Sequence, residues 1–137
     1  MTILDSNIWI GYLDTNDSLH ARAAVVCAGT ERPFILPEYV LVEIITIITY
    51  KRGKQAADNF IKSIDNNEAI ELLPSDPEFL KEILKFFCES VTSKLSLTDT
   101  ALLYLSQTYT VLTFDKQLAR AIKLSQSEIH SRGKIKK

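Results

Sequence analysis

Two short β-branched runs, TIL at residues 2–4 and TVLTF at residues 110–114, each stop at an aspartate, Asp5 and Asp115, and each leads into a helical pattern. Runs this short, apolar on consecutive positions, suit strands buried on both faces of a sheet rather than half-exposed hairpins. Two more candidates lie between them: FIL at Phe34 to Leu36 and the segment Ala69 to Leu73. Helical patterns separate the strands, over about residues 8–13, 19–27, 38–52 and 54–64, then from Pro77 and over 98–106, with a last one opening at Asp115. Such alternation predicts an α/β protein, a three-layer α/β/α sandwich with a mainly parallel central sheet.

Punctuation supports these boundaries. GTERP at residues 29–33 interrupts the second helical pattern, and Gly53 closes the third. Asp76, Pro77 and Glu78 form a start signal of cap, first-position proline and first-turn acid. Phe79, Ile83, Phe86 and Phe87 are expected to face inward from that helix. The stretch from Glu38 to Arg52 is rich in β-branched residues, which alone would favour a strand. Its length, and a broad side made of Val40, Glu43, Ile44, Ile47 and Ile48, favour a helix. A final strand is expected among residues 128–135, although SQSEIHSRGKIKK carries little pattern.

With 137 residues, 46% apolar and 24% charged, the chain is expected to form one folded domain over residues 1–137. Cys27 and Cys88 are its two cysteines, too few for a disulfide scaffold or a cysteine zinc site, and Cys88, beside Phe86 and Phe87, is expected to be buried. His20 and His130 are far apart and are read as satisfied or exposed rather than as metal ligands. The opening MTILDSNIWIGYLD lacks a basic leader and a long apolar core, so a cytoplasmic protein without membrane association is expected. No GxGxxG or GxxxxGK[ST] phosphate loop and no GxSxG elbow occurs, which argues against nucleotide and serine-hydrolase chemistry.

Charge is unevenly placed. Residues 1–115 carry nine Lys or Arg against sixteen Asp or Glu, while residues 116–137 carry seven against one. An acidic body beside a basic end suits a metal-binding pocket next to a nucleic-acid track, or simply a solvated terminal segment.

Parallel α/β sheets place ligands beyond the carboxyl ends of their strands. Asp5 and Asp115 should emerge there. Asp99, in the first turn of its helix, and Glu43, one to two turns into an earlier one, could join them. Singly, each acid has a structural explanation: Asp5 as a turn former, Glu43 as half of an ion pair, Asp99 in a capping box headed by Ser96, and Asp115 as a helix cap. Four gathered carboxylates would repel one another unless cations neutralised them, and oxygen donors suit Mg2+, with Mn2+ also possible. A pair of such ions about 3.5–4 Å apart, or one ion with an ordered water, could assist water attack on a phosphodiester. Ser6 and Asn7 could orient water or bind phosphate from a loop, and Thr113 could support Asp115 with its hydroxyl.

The segments ILDSNIWIGYL, LPEYVLVEI, LSLTDTALLYLS and VLTFDKQLA together resemble the PIN-domain ribonucleases, in particular the compact VapC-type toxins of toxin–antitoxin pairs. The resemblance spans essentially the whole chain. It implies that Asp5, Glu43, Asp99 and Asp115 are the catalytic, metal-binding acids, with Thr113 in support. It further implies metal-dependent hydrolysis of RNA to a 5′ phosphate and a 3′ hydroxyl, a small antitoxin partner and a homodimer. Thr100 stands where relatives commonly have alanine. Lys116 and Arg120 are expected to bind RNA, and Arg132, Lys134, Lys136 and Lys137 to meet RNA backbone or the antitoxin. Lys51, Arg52 and Lys54 form another small basic group. A catalytically inactive binding module of the same fold is the alternative, as is a DNA-directed nuclease. Metal binding with cleavage of matched RNA and DNA substrates separates the three.

Overall fold

A computed structural model of the chain describes residues 1–90 and 94–135, the last two through their backbone alone. Its strands are β1 (Thr2–Leu4), β2 (Phe34–Pro37), β3 (Ile70–Leu73) and β4 (Thr110–Leu112). The helices are α1 (Ser6–Leu13), α2 (His20–Ala28), α3 (Glu38–Arg52), α4 (Lys54–Ile64), α5 (Pro77–Glu89), α6 (Leu97–Leu105) and α7 (Lys116–Ile135). All strand pairs are parallel, in the order β3-β2-β1-β4. Thr2 sits between Phe34 on one side and Thr110 on the other.

Burial explains the layering. Ile3 and Leu4 of β1 and Phe34, Ile35 and Leu36 of β2 are buried on successive positions, so both faces of the sheet are covered by helices. The expected three-layer α/β/α sandwich with a mainly parallel sheet is what forms. Its core gathers Ile8 and Trp9 from α1, Val40 and Ile44 from α3, Leu102 from α6 and Leu118 from α7. Trp9 meets Phe34 and Phe60 edge to face. Gly11 lets α1 approach α2: a Cβ there would stand 3.1 Å from that of Ala23. Gly53, at φ +89°, ends α3 and admits α4, as its place in the sequence suggested.

Several expectations change. No strand forms over residues 128–135; α7 runs on to Ile135. Beyond Leu124 no Pro, Asn, Asp or Gly before Gly133 and no alternating apolar pattern interrupts propagation, and Ser127 and Ser131 bond back to the Lys123 and Ser127 carbonyls. Helix α1 begins at Ser6, so Ser6 and Asn7 occupy its first turn rather than a loop. On α5, Ile83 is the buried residue, Phe79 and Phe86 are half-buried, and Phe87 and Cys88 are exposed. The four-residue steps from Phe79 to Ile83 define a narrower inward stripe than four aromatic and aliphatic positions suggested. Lys136 and Lys137, expected to meet RNA or an antitoxin, lie outside the described residues, as does the side chain of Lys134. Among the described residues no helix is long and apolar enough to cross a membrane.

Candidate active site

The strand order reverses direction between β1 and β4: from β1 the chain builds outward through β2 and β3, then returns to the other side of β1. This switch point opens a crevice at the carboxyl ends of the two strands. Asp5 and Asp115 lie there. The Asp5 amide donates to the Leu112 carbonyl at 2.9 Å, continuing the pairing of β1 with β4 one residue past the last registered pair.

Asp5 is 4% exposed. It caps α1, its Oδ1 accepting from the Ser6 amide at 2.7 Å, and its Oδ2 accepts from the Thr113 hydroxyl at 2.7 Å. Thr113 Oγ1 in turn accepts from Asn7 Nδ2 at 3.2 Å and from the Asp115 amide at 3.0 Å. The other end of the Asn7 amide accepts from the Phe114 amide at 3.1 Å. One hydroxyl therefore ties the acid after β1 to the backbone of the acid after β4. The Arg22 guanidinium stacks 4.4 Å from the centre of the Phe114 ring and braces the same loop from α2.

Asp115 is exposed and caps α7, its Oδ1 accepting from the Leu118 amide at 3.0 Å. Asp99 forms the expected capping box: its amide donates to Ser96 Oγ at 3.1 Å and its Oδ2 accepts from the Ser96 amide at 3.3 Å. Thr100 is buried and donates to the Ser96 carbonyl at 2.8 Å, so its hydroxyl is absorbed by the helix start. Glu43 is half-buried on α3, without an ion pair among the described residues.

These four acids line one cleft of about 390 Å³, together with Ser6, Asn7, Asp17, Lys51 and Ser96. Asp5 and Asp115 cap α1 and α7, and Asp99 belongs to the capping box of α6, so three helix N-termini converge on the cleft, and each of these acids has carboxylate lone pairs left over. Burial raises the Asp5 pKa above the usual carboxylate value; the Thr113 and Ser6 hydrogen bonds pull against it, and the charges of Asp99 and Asp115 push further upward. Burial likewise raises Glu43, opposed by a hydrogen bond with Ser6 and reinforced by Asp5 and Asp99. The acids thus sense one another's charge.

Lys116 and Arg120 are exposed on α7 and are not part of the cleft lining, whereas Lys51 is. The steps Glu43, Ile47, Lys51 along α3 all reach the cleft, so helical spacing from Glu43 was the signal for Lys51. Asp17 comes from the loop before α2, where its Oδ1 accepts from the Leu19 amide at 2.8 Å. No periodicity marks a loop residue. His20 bonds through Nδ1 to the Gly11 carbonyl at 2.8 Å and joins α1 to α2, a structural role as expected.

Among the described residues no three acid, histidine or cysteine side chains are grouped tightly enough to form a ready coordination shell. The donor set is nevertheless all hard oxygen, five carboxylates against one lysine, with two of them raised first by burial and further by the neighbouring acids. That fits a cation such as Mg2+, which binds through one or two carboxylates and keeps several waters.

The PIN domain family model matches residues 2–124. Among solved structures, the chain is similar to VapC20 of Mycobacterium tuberculosis, a sarcin-ricin loop cleaving toxin, with a TM-score of 0.77 at 15% identity over 88% of this chain and 95% of that one. Among curated proteins no sequence matches.

Proposed function

The chain belongs to the PIN-domain family, and from that premise we propose that it is a divalent-metal-dependent endoribonuclease, the toxin of a toxin–antitoxin pair. The observation that carries the reading is the convergence of Asp5, Glu43, Asp99 and Asp115, from four separate segments, on one cleft at the sheet's switch point. Likeness in fold to a toxin that cleaves an RNA loop supports RNA as the substrate class.

In this reading Asp5, Asp99, Asp115 and Glu43 hold a hydrated Mg2+ or Mn2+, directly or through its waters. The cation, when bound, neutralises the scissile phosphate and acidifies an attacking water. The chain's own residues do the positioning. Thr113 and Asn7 fix the Asp5 carboxylate, and Ser6 and Glu43 orient the water. Attack on phosphorus breaks the bond to the 3′ oxygen, which takes up a proton, and leaves a 5′ phosphate and a 3′ hydroxyl. Lys116 and Arg120, just beyond Asp115, meet the RNA backbone.

Val25, Val42 and Ile61 remain exposed on α2, α3 and α4. They support a protein-contact surface for an antitoxin or a second copy of the chain, and light scattering after size exclusion reads the homodimer directly. Cytoplasmic action follows from the proposed RNA target. The test of the whole reading is cleavage of matched RNA and DNA with Mg2+ or Mn2+, followed by mapping of the product ends. RNA products with 5′ phosphates, lost on chelation, are expected; chelation-insensitive cleavage contradicts the reading.

A further inference from the structure

Lys116, Arg120, Lys123, Ser127 and His130 follow one another at steps of four, three, four and three residues, the spacing that keeps side chains on one side of an α-helix. All five lie on α7 and all are exposed. The opposite side of the helix carries the buried Leu118 and Ile122. Arg132, two residues past His130, falls on that opposite side in register. At about 1.5 Å of rise per residue, the row from Lys116 to His130 extends about 21 Å away from the cleft.

Helix energetics do not explain this row. A cation in the first turn opposes the helix dipole, and α7 has no acid there. Lys116 with Arg120, and Arg120 with Lys123, are like-charged neighbours that weaken a helix. Among the described residues the ion pairs are Arg52 with Asp14 and Lys54 with Asp58, so none relieves the row. Glu128 is the one acid in residues 116–137, and its register lies off the row. The cations are thus concentrated, mutually repelling and unpaired, on an otherwise acidic protein. Such local conflict is expected where a ligand supplies the missing charge.

We infer that this face of α7 is a phosphate track that holds RNA backbone running on from the cleft. It deepens the proposed ribonuclease reading and rests on it for the identity of the ligand. The row begins at the residue after Asp115, which itself lines the cleft. One further hydrogen-bonding group, His130, extends it past the three cations, as a polyanion with acceptor oxygens requires. The substrate is accordingly an RNA that continues some 20 Å beyond the cleft on the Asp115 side, not a fragment that fills the cleft alone.

The test is fluorescence anisotropy of the full chain in EDTA, which prevents cleavage, with RNAs of about 4 and about 16 nucleotides, across a salt series. Lys123→Gln should weaken binding of the longer RNA by about tenfold at low salt and reduce the salt slope by about one. Binding of the shorter RNA should not change. Lys81→Gln removes the same charge from the exposed surface of α5 and should leave both RNAs unaffected. Equal losses in the two variants would reduce the row to a net-charge effect and overturn the inference. So would unchanged RNA affinity in Lys123→Gln, including the case where that variant instead loses an acidic peptide probe, or failure of the wild-type chain to bind the longer RNA. Absence of Mg2+-dependent cleavage by a chain that binds RNA along the row would defeat the ribonuclease reading and leave the track standing.

Discussion

Asp5 and Asp115 occupy equivalent places in the sequence pattern, each following a short strand and capping the next helix, yet their surroundings differ sharply. Asp5 follows β1, which lies inside the sheet between β2 and β4; Asp115 follows β4, an edge strand. The inner acid is enclosed, held by two short hydrogen bonds and raised in pKa, while the outer one is open to solvent. The difference teaches that strand order, not local sequence, decides which of the two carboxylates is buried. Water screens Asp115 and cannot reach Asp5 as freely.

From that contrast, Asp5→Asn is expected to lower RNA cleavage by about 10²–10³-fold, the scale for loss of one preorganised electrostatic group. Asp115→Asn, which retains a capping oxygen, costs clearly less. Equal losses in steady-state kcat/KM would break the comparison. Next in size is the hydroxyl that joins the two acids. Thr113→Val leaves Asp5 Oδ2, the Asn7 amide and the Asp115 amide short of a partner, so stability measured by urea unfolding should fall by about 1–3 kcal/mol. Thr113→Ser restores most of it.

A smaller effect separates capping from catalysis. Asp115→Ala should cost about 1 kcal/mol by removing the α7 cap, whereas Asp115→Asn should be nearly neutral in stability. Thermal unfolding of the two variants checks this. The smallest effect concerns pH. Glu43 has a raised folded pKa, so the native state holds its proton more tightly than the unfolded chain does. The slope of stability against pH is then negative between the ordinary value of 4.5 and the raised one. Without divalent ions the wild-type chain should lose stability relative to Glu43→Gln as pH climbs through that window, and the difference should persist above it. Melting curves in EDTA at several pH values read the effect, and a divalent ion should reverse it in the wild type alone.

Much of this was legible from residue order. The runs ending at Asp5 and Asp115, the helix bearing Glu43 and the capping box at Asp99 lie where apolar pattern and punctuation put them. Their convergence was not written in any local pattern, because it depends on β4 returning beside β1. Thr113's part as a shared hydrogen-bonding hub depends on the same pairing. Lys51 stands beside Arg52 and Lys54 in the sequence, and that basic grouping masks its helical register with Glu43 two turns earlier. The continuation of α7 replaced a strand because weak pattern after Leu124 leaves helix propagation unopposed, and the basic row became visible once that helix was whole.

The central claim is that the four carboxylates act together as a cation site, and titration calorimetry with Mn2+ on the wild-type chain and on Asp5→Asn, Glu43→Gln, Asp99→Asn and Asp115→Asn addresses it directly. Saturable binding that every substitution weakens, with Asp5→Asn the most affected, is the predicted result. Binding of equal strength in the wild type and all four variants, or none in the wild type, would contradict the account.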